Sequence, residues 1–317
     1  LRKGDTLTGV AAKFSVPVEE LRKANGLRRD AKLLAGSQIL APHDKVLDET
    51  RIESFAGAKL IEKRDPVLLP KARKNAAELA GMREAHRLDG IALARFLAWF
   101  DEAAPKGNLT EIGIVTALET FRREEETCVD ASFDTIAGAG PNGAIVHYRV
   151  TKKTDRLLRP GELMLVDSGA QYLSGTTDIT RTLSSGATGP EERDRYTRVL
   201  KGMIAISTAR FPKGTTGAQI DILARQFLWQ AGITYNHGTG HGVGAYLGVH
   251  EGPVGISARY HTPFEAGNVV SNEPGYYKAG AWGIRLENLI VVEDAQPVPG
   301  GEIAMHSFET LTLAPFD

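Results

Sequence analysis

The chain has 317 residues, 42% hydrophobic and 24% charged, with a formal net charge of −1. That length suits a large domain plus a small one, and the near-neutral charge removes any electrostatic case for nucleic acid or an anionic membrane as the main partner. Cys128, the single cysteine, excludes an internal disulfide and any CxxC metal site and fits a reducing, cytoplasmic setting. No apolar run approaches the ~20 residues that span a bilayer, and no basic-then-apolar leader is visible.

Residues 1–42, LRKGDTLTGVAAKFSVPVEELRKANGLRRDAKLLAGSQILAP, read as a short strand, a helix over Thr8–Phe14, a second over Val18–Asn25 and a closing strand near Gln38–Ala41. Pro17 sits where a helix can begin, and Asn25-Gly26 is a helix stop. Leu7, Val10, Phe14, Val18, Leu21, Leu27 and Ile39 supply a small core of their own. GDTL, the AAKFSVPVEELRKANGL centre and LLAGSQILAP together resemble a LysM module, a small βααβ fold. The resemblance implies binding of peptidoglycan or chitin, and adds the cell envelope as an alternative location.

Residues 43–64 read as a linker or the remnant of another domain, and a larger domain runs over 65–317. Lys71–Phe100 carries apolar residues at spacings of three and four, the mark of an amphipathic helix, although Gly81 and Gly90 argue against one unbroken rod. Further helices are expected near Thr110–Glu126, Glu191–Arg210 and Thr216–Ala231. Strand-like runs lie at Ala144–Val150, Leu163–Val166, Asp178–Leu183, Val269–Asn272 and Leu289–Val292. This mixture predicts an α+β domain.

Two segments of that domain repeat each other: RPGELMLVDSGAQYLSGTTDITRTL from Arg159 and EAGNVVSNEPGYYKAGAWGIRLENLIV from Glu265. Gly161, Asp167 and Gly169 match Gly267, Glu273 and Gly275 at one offset of 106 residues. After a three-residue insertion, Asp178 matches Glu287. Each half therefore reads as strand, carboxylate, glycine turn, strand, carboxylate: a hairpin with one acid on each arm, used twice.

Two such hairpins related by an approximate two-fold axis bring four carboxylates together. Two charges ~4 Å apart repel by ~4 kcal/mol even at an effective dielectric of ~20, so the acids must be protonated or neutralised by cations. Two divalent ions balance four carboxylates. Acids with an imidazole suit Mn, Zn, Co or Fe rather than Ca or Mg alone. The imidazole is expected from HGTGHGVGAYLGVHEGP, which packs His237, His241 and His250 among six glycines. Glycine at that density argues for a loop or irregular strand there.

Competing motifs fail on context. Gly138 to Gly143 matches GxGxxG, but Pro141 and the strand-like AIVHYRV follow, where a dinucleotide fingerprint needs a helix. HExxH, GxSxG and the P-loop are absent. Cys128 follows three glutamates, which disfavour a thiolate. Arg285 suits either a clamp on a substrate carboxylate or a partner for a site acid, and the first is preferred.

The order Asp167, Asp178, His241, Glu273, Glu287 resembles the five-ligand pattern of the pita-bread metallopeptidases. DPVLLPKARKN, GMREAHRLDGIAL, SFDTIAGAGPNGAIVHY, VDSGAQYLSGTTDITRT, HGTGHGVG, SNEPGYY and GIRLENL are similar to the aminopeptidase P group within it. The resemblance covers residues 50–317 and implies a pita-bread fold holding two metals. Asp178 and Glu287 would bridge them, Asp167 would chelate one, and His241 with Glu273 would hold the other.

It further implies hydrolysis of an N-terminal Xaa-Pro bond by a metal-activated water, with Glu273 taking up the water's proton. His250 or His147 would stabilise the oxyanion, His147, His237 and Tyr276 would shape the proline pocket, and His237 is also a candidate for proton transfer. Alternatives are a prolidase-type Xaa-Pro dipeptidase and a non-catalytic glycan- or peptide-binding protein of the same fold. Members of the group form homodimers and usually carry two further domains before the catalytic one. Here the LysM-like segment takes that place.

Overall fold

The structure, a computed structural model, describes residues 6–14, 17–25, 27 and 65–316. The chain divides into two compact units, Leu1–Arg64 and Asp65–Asp317. In the first, helices Leu7–Phe14 and Val18–Ala24 pack together, with Pro17 as the N-cap of the second. Val10, Ala11 and Leu21 are buried between them, as an apolar stripe at helical spacing requires. The expected terminal strands of this unit, the Phe14 and Ile39 side chains and the 43–64 linker lie outside the described residues.

In the second unit the first long helix breaks where glycine does not. A short helix, Leu68–Ala72, ends at an extended Arg73, and an uninterrupted helix then runs over Ala76–Ala103. Asn75 and Glu78 start it with a reciprocal capping box. Gly81 and Gly90 do not interrupt this helix; they let neighbours approach. A Cβ on Gly81 would lie 2.3 Å from the Ser174 carbonyl oxygen, and one on Gly90 would lie 3.3 Å from Leu313. The break at 73–75 lets Lys74 N–H donate to the Gly267 carbonyl, at the edge of the second half.

The repeat seen in the acids extends through the architecture. Helices Glu111–Arg123 and Gly217–Trp229 lie 106 residues apart and both start on a threonine N-cap, Thr110 and Thr216. Leu158 N–H bonds to Leu109 O in one half, and Phe264 N–H to Thr215 O in the other. Gly161 and Gly267 adopt φ +83° and +86°, where a side chain is strained. Each half builds an antiparallel sheet. The first orders Ile136–Ala139, Leu163–Ser168 and Ile179–Ser184; the second orders Val269–Asn272, Asn288–Val292 and Phe308–Thr310. Glu287 N–H donates to Thr180 O, and Arg285 exchanges two bonds with the Thr182 hydroxyl, which joins the edge strand Ile179–Ser184 to the segment leading into Asn288–Val292.

Helices cover the outer faces. Phe96, Phe100, Ile114 and Leu118 pack on Met164, Val166 and Leu183; Ile206, Ile220 and Ala224 pack on Val270, Ile290 and Val292. Burying such side chains supplies roughly 1.5–3 kcal/mol each. One expected strand is absent: Ala144–Val150 forms no strand. The strand lies earlier, at Ile136–Ala139, and Gly140–Ala144 forms a 3-10 turn begun by Pro141. Gly138 and Gly143 sit too close for a Cβ on either, which folds the chain back before the apolar alternation can pair. No long helix opens at these glycines, so the GxGxxG match is no dinucleotide site. Among the described residues no helix is long and apolar enough to cross a membrane.

Candidate metal centre

The strand ends deliver the acids to one place. Asp167 lies near the end of Leu163–Ser168, paired across the ladder with Thr180, and Asp178 precedes the partner strand. Glu273 follows Val269–Asn272 and Glu287 precedes Asn288–Val292. Asp178, His241 and Glu287 each offer a ligand atom within 4.8 Å of the others. His241 Nε2 lies 3.5 Å from Asp178 Oδ2 and 3.4 Å from Glu273 Oε1. All five expected ligands line one cleft of about 1290 Å³, together with His147, His237, His250 and Arg285.

Supporting bonds fix the ligands. Thr180 hydroxyl donates to Glu287 Oε2 at 2.7 Å. Ser271 hydroxyl accepts from His241 N–H and donates to Glu273 Oε1. His241 Nδ1 donates to Gly242 O, which leaves Nε2 free to ligate. Asp167 Oδ1 is buried with no hydrogen-bond partner. A buried carboxylate oxygen left bare is costly unless something else satisfies it, so this donor set fits a cation.

The protonation pattern agrees. Burial, aided by the Asp167 carboxylate, pushes Asp178 up to about 7. Burial beside Asp178 and Glu273 raises Glu287 well above the carboxylate range. Burial pulls His241 down, but the Asp178 and Glu273 carboxylates outweigh it and raise it to about 9. Burial also opposes ionisation of Glu273, yet His241, His237 and Arg285 hold it low. Without metal, then, protons occupy the positions that cations would take.

A pH dependence follows. An unfolded aspartate titrates near ~3.9, while folded, metal-free Asp178 titrates near 7. The metal-free protein therefore loses stability as pH rises through that window. With metal bound the carboxylate is already ionised and that loss is absent. The Tm difference between metal-loaded and chelated protein is expected to widen from pH 5 to pH 7.5. A constant difference would contradict the assignment.

The cleft wall around His237 is partly as expected. His237 Nδ1 donates to Gly238 O, its Nε2 lies 2.9 Å from Tyr277 Oη, and Arg285 Nη1 donates to that same oxygen at 2.7 Å. The network assigns His237 the neutral Nδ1–H tautomer. Burial lowers its pKa and pushes Tyr277 up to about 12.

Tyr276, expected in this pocket, points the other way. It packs on Trp282 beneath Arg195. Side chains alternate along a strand, and Tyr277 is the one set opposite Gly283, where there is room for its ring. Nor is Arg285 disposed as a clamp for a substrate carboxylate. It is 2% exposed and donates to Asp167 Oδ2 at 2.6 Å, so it pairs with a site acid. His147 and His250 open onto the cleft, and the His250 ring stands edge-on to His241 with centroids 4.1 Å apart. Cys128 lies apart from the cleft, and burial pushes its thiol up, away from a nucleophilic thiolate.

Residues 80–294 match the model of metallopeptidase family M24. The chain belongs to that family. Residues 1–42 match the LysM domain model. Among M24 relatives, a probable Xaa-Pro aminopeptidase P of Paracoccidioides brasiliensis is 49% identical over 269 residues, 83% of this chain and 44% of the relative. The X-prolyl aminopeptidase of Caenorhabditis elegans, described as a cytosolic enzyme with a di-nuclear active site, superposes with a TM-score of 0.76 at 38% identity. That match covers 80% of this chain and 41% of the worm protein. A Xaa-Pro dipeptidase from Bacillus anthracis gives a TM-score of 0.70 at 26% identity, covering 84% and 69%. This chain thus spans less than half the length of the first two.

The repeat also relates two of the expected histidines in a way that the sequence reading did not. Val146-His147 and Val249-His250 are equivalent dipeptides 103 residues apart. The ladder agrees: Ala139 pairs with Met164, and Gly242, 103 residues on, pairs with Val270, 106 residues on. In this frame His241 matches Gly138, so only the second half places an imidazole among the candidate ligands. Thr180, Ser271 and Tyr277 carry no sequence signal beyond their closeness to the acids.

Proposed function

We propose that this M24 protein is a metal-dependent exopeptidase that hydrolyses the N-terminal Xaa-Pro bond of peptides. The observation that carries the reading is the convergence of Asp167, Asp178, His241, Glu273 and Glu287 at one cleft, with an unsatisfied Asp167 oxygen among them. These residues would hold two divalent ions, with manganese as the first candidate. Bound ions would polarise the scissile carbonyl and activate a water.

The chain's own groups do the rest. Glu273, held ionised, is placed to accept the water's proton. His250 and His147, open to the cleft, are the donors for the developing oxyanion. Proline has no N–H to recognise, so selection rests on shape, and His237, which lines the cleft and is hydrogen-bonded to Tyr277, would help supply it.

Likeness to the B. anthracis protein favours a second reading, a dipeptidase limited to Xaa-Pro itself. Metal analysis with cleavage of Xaa-Pro, Xaa-Pro-Yaa and Xaa-Ala peptides separates the two. Release of the first residue from Xaa-Pro-Yaa supports the aminopeptidase, cleavage of Xaa-Pro alone supports the dipeptidase, and cleavage of neither overturns both.

The LysM segment would bind peptidoglycan or chitin, and the family resemblance supports a homodimer and a cytoplasmic setting. The five residues named for the metal site all belong to the unit Asp65–Asp317. Deleting residues 1–42 is expected to leave Xaa-Pro-Yaa hydrolysis within a few-fold while abolishing glycan retention. A loss of kcat/KM that grows with peptide length would instead make the segment part of the substrate path.

A further inference from the structure

The two histidines that open onto the cleft share an unassigned feature: each is followed by a buried residue tied to a buried charge. After His147, Tyr148 donates its hydroxyl to Glu111 Oε2 at 2.9 Å. Glu111 is fully buried and also accepts from Ala139 N–H and Asn142 Nδ2. After His250, Glu251 accepts from Lys74 Nζ at 3.1 Å, and both residues are less than 10% exposed. Lys71 Nζ lies 2.9 Å from the second Glu251 oxygen. Tyr148 and Glu251 are themselves 103 residues apart, at equivalent places in the repeat. Each histidine is joined through the backbone to a neighbour held in place by a buried charge. Anchoring that neighbour restrains where the imidazole can sit.

We propose that Lys74 is a positioning residue for His250, acting through Glu251 and never touching substrate; the proposal rests on the role given to His250 above. Lys74 is itself fixed, because its N–H joins the sheet at Gly267 and Asn268 Nδ2 donates to Ala72 O. Glu251 lies inside the loop that carries His241 and His250. Its N–H donates to Gly242 O, and its carboxylate packs so close to Gly244 that a Cβ there would lie 2.8 Å from Oε2. The ion pair thus locks the 241–251 loop to the segment ahead of the long helix, and the edge-on His250–His241 contact transmits the lock to the site.

Lys74→Met, Lys74→Met/Glu251→Gln, His250→Ala and Lys74→Met/His250→Ala test this in the full chain, with metal content, Tm, kcat and KM measured for each. Breaking one side of a buried pair destabilises strongly, whereas replacing both charges often does not, so the Lys74/Glu251 double variant keeps the test open if Lys74→Met folds poorly. Lys74→Met or that double variant is expected to retain two ions and an unchanged KM while kcat falls about 10-fold, short of the ~10²-fold that a 1 Å misplacement can cost. The double variant should regain Tm but not kcat, and Lys74→Met should cost nothing further once His250 is alanine.

Recovery of kcat together with Tm would reduce the pair to a structural element. Persistence of the full loss in the His250→Ala background would show that Lys74 acts elsewhere, and either result overturns the proposal. If His250→Ala alone leaves kcat unchanged, the role of His250 itself fails, and that single variant identifies the failure.

Discussion

Glu287→Ala is expected to strip both ions from the protein and to lower kcat/KM by at least about 10³-fold, the upper end of the loss when one electrostatic stabiliser is removed. Glu287 is 1% exposed, is seated by the Thr180 hydroxyl, and stands in the same triad of ligand atoms as Asp178 and His241. A carboxylate shared by two ions supports each, and alanine also leaves Thr180 without its acceptor. His241→Ala should differ in kind. It removes the one imidazole of the centre, so one ion weakens while the other remains. Metal content and turnover of the two variants decide the matter. Two ions per chain with normal turnover in Glu287→Ala would end the bridging assignment.

The acids were legible because their setting repeats. Asp167 and Glu273 each precede a glycine that the fold cannot replace: a Cβ on Gly169 would sit 2.1 Å from Thr177 O, and one on Gly275 would sit 2.8 Å from Ile284 O. Such constraints act through the backbone, so they leave a fixed pattern along the chain. Other features depend on contacts far away in sequence. Whether Gly81 breaks a helix or admits a neighbour is decided by Ser174. Whether Tyr276 or Tyr277 faces the site is decided by the room at Gly283. Whether Val146 and Tyr148 pair as a strand is decided by Glu111, which pulls Tyr148 and Asn142 into a buried polar network instead. Lys74 and Glu251 are 177 residues apart, and neither residue announces the other.

Removing His250 separates chemistry from metal holding. His250→Ala is expected to keep both ions and lose about 10²–10³-fold in kcat, the usual cost of deleting an oxyanion donor. The imidazole reaches the cleft but is not among the three groups that converge as ligands. Burial and the neighbouring His241 lower its pKa, so near neutral pH it is an uncharged ring that can donate through one N–H. A cation there would be repelled by bound metals; a neutral donor is not. KM should change little, because the charge on the oxyanion develops only as the water attacks. His147→Ala provides the comparison, since its side chain occupies the equivalent place in the other half of the repeat. If His250→Ala is isolated without metal, His250 is itself a ligand and the five-residue set is wrong. If His147→Ala shows the larger loss in kcat, the donor belongs to the first half, and His250 instead lines the pocket for the residue released.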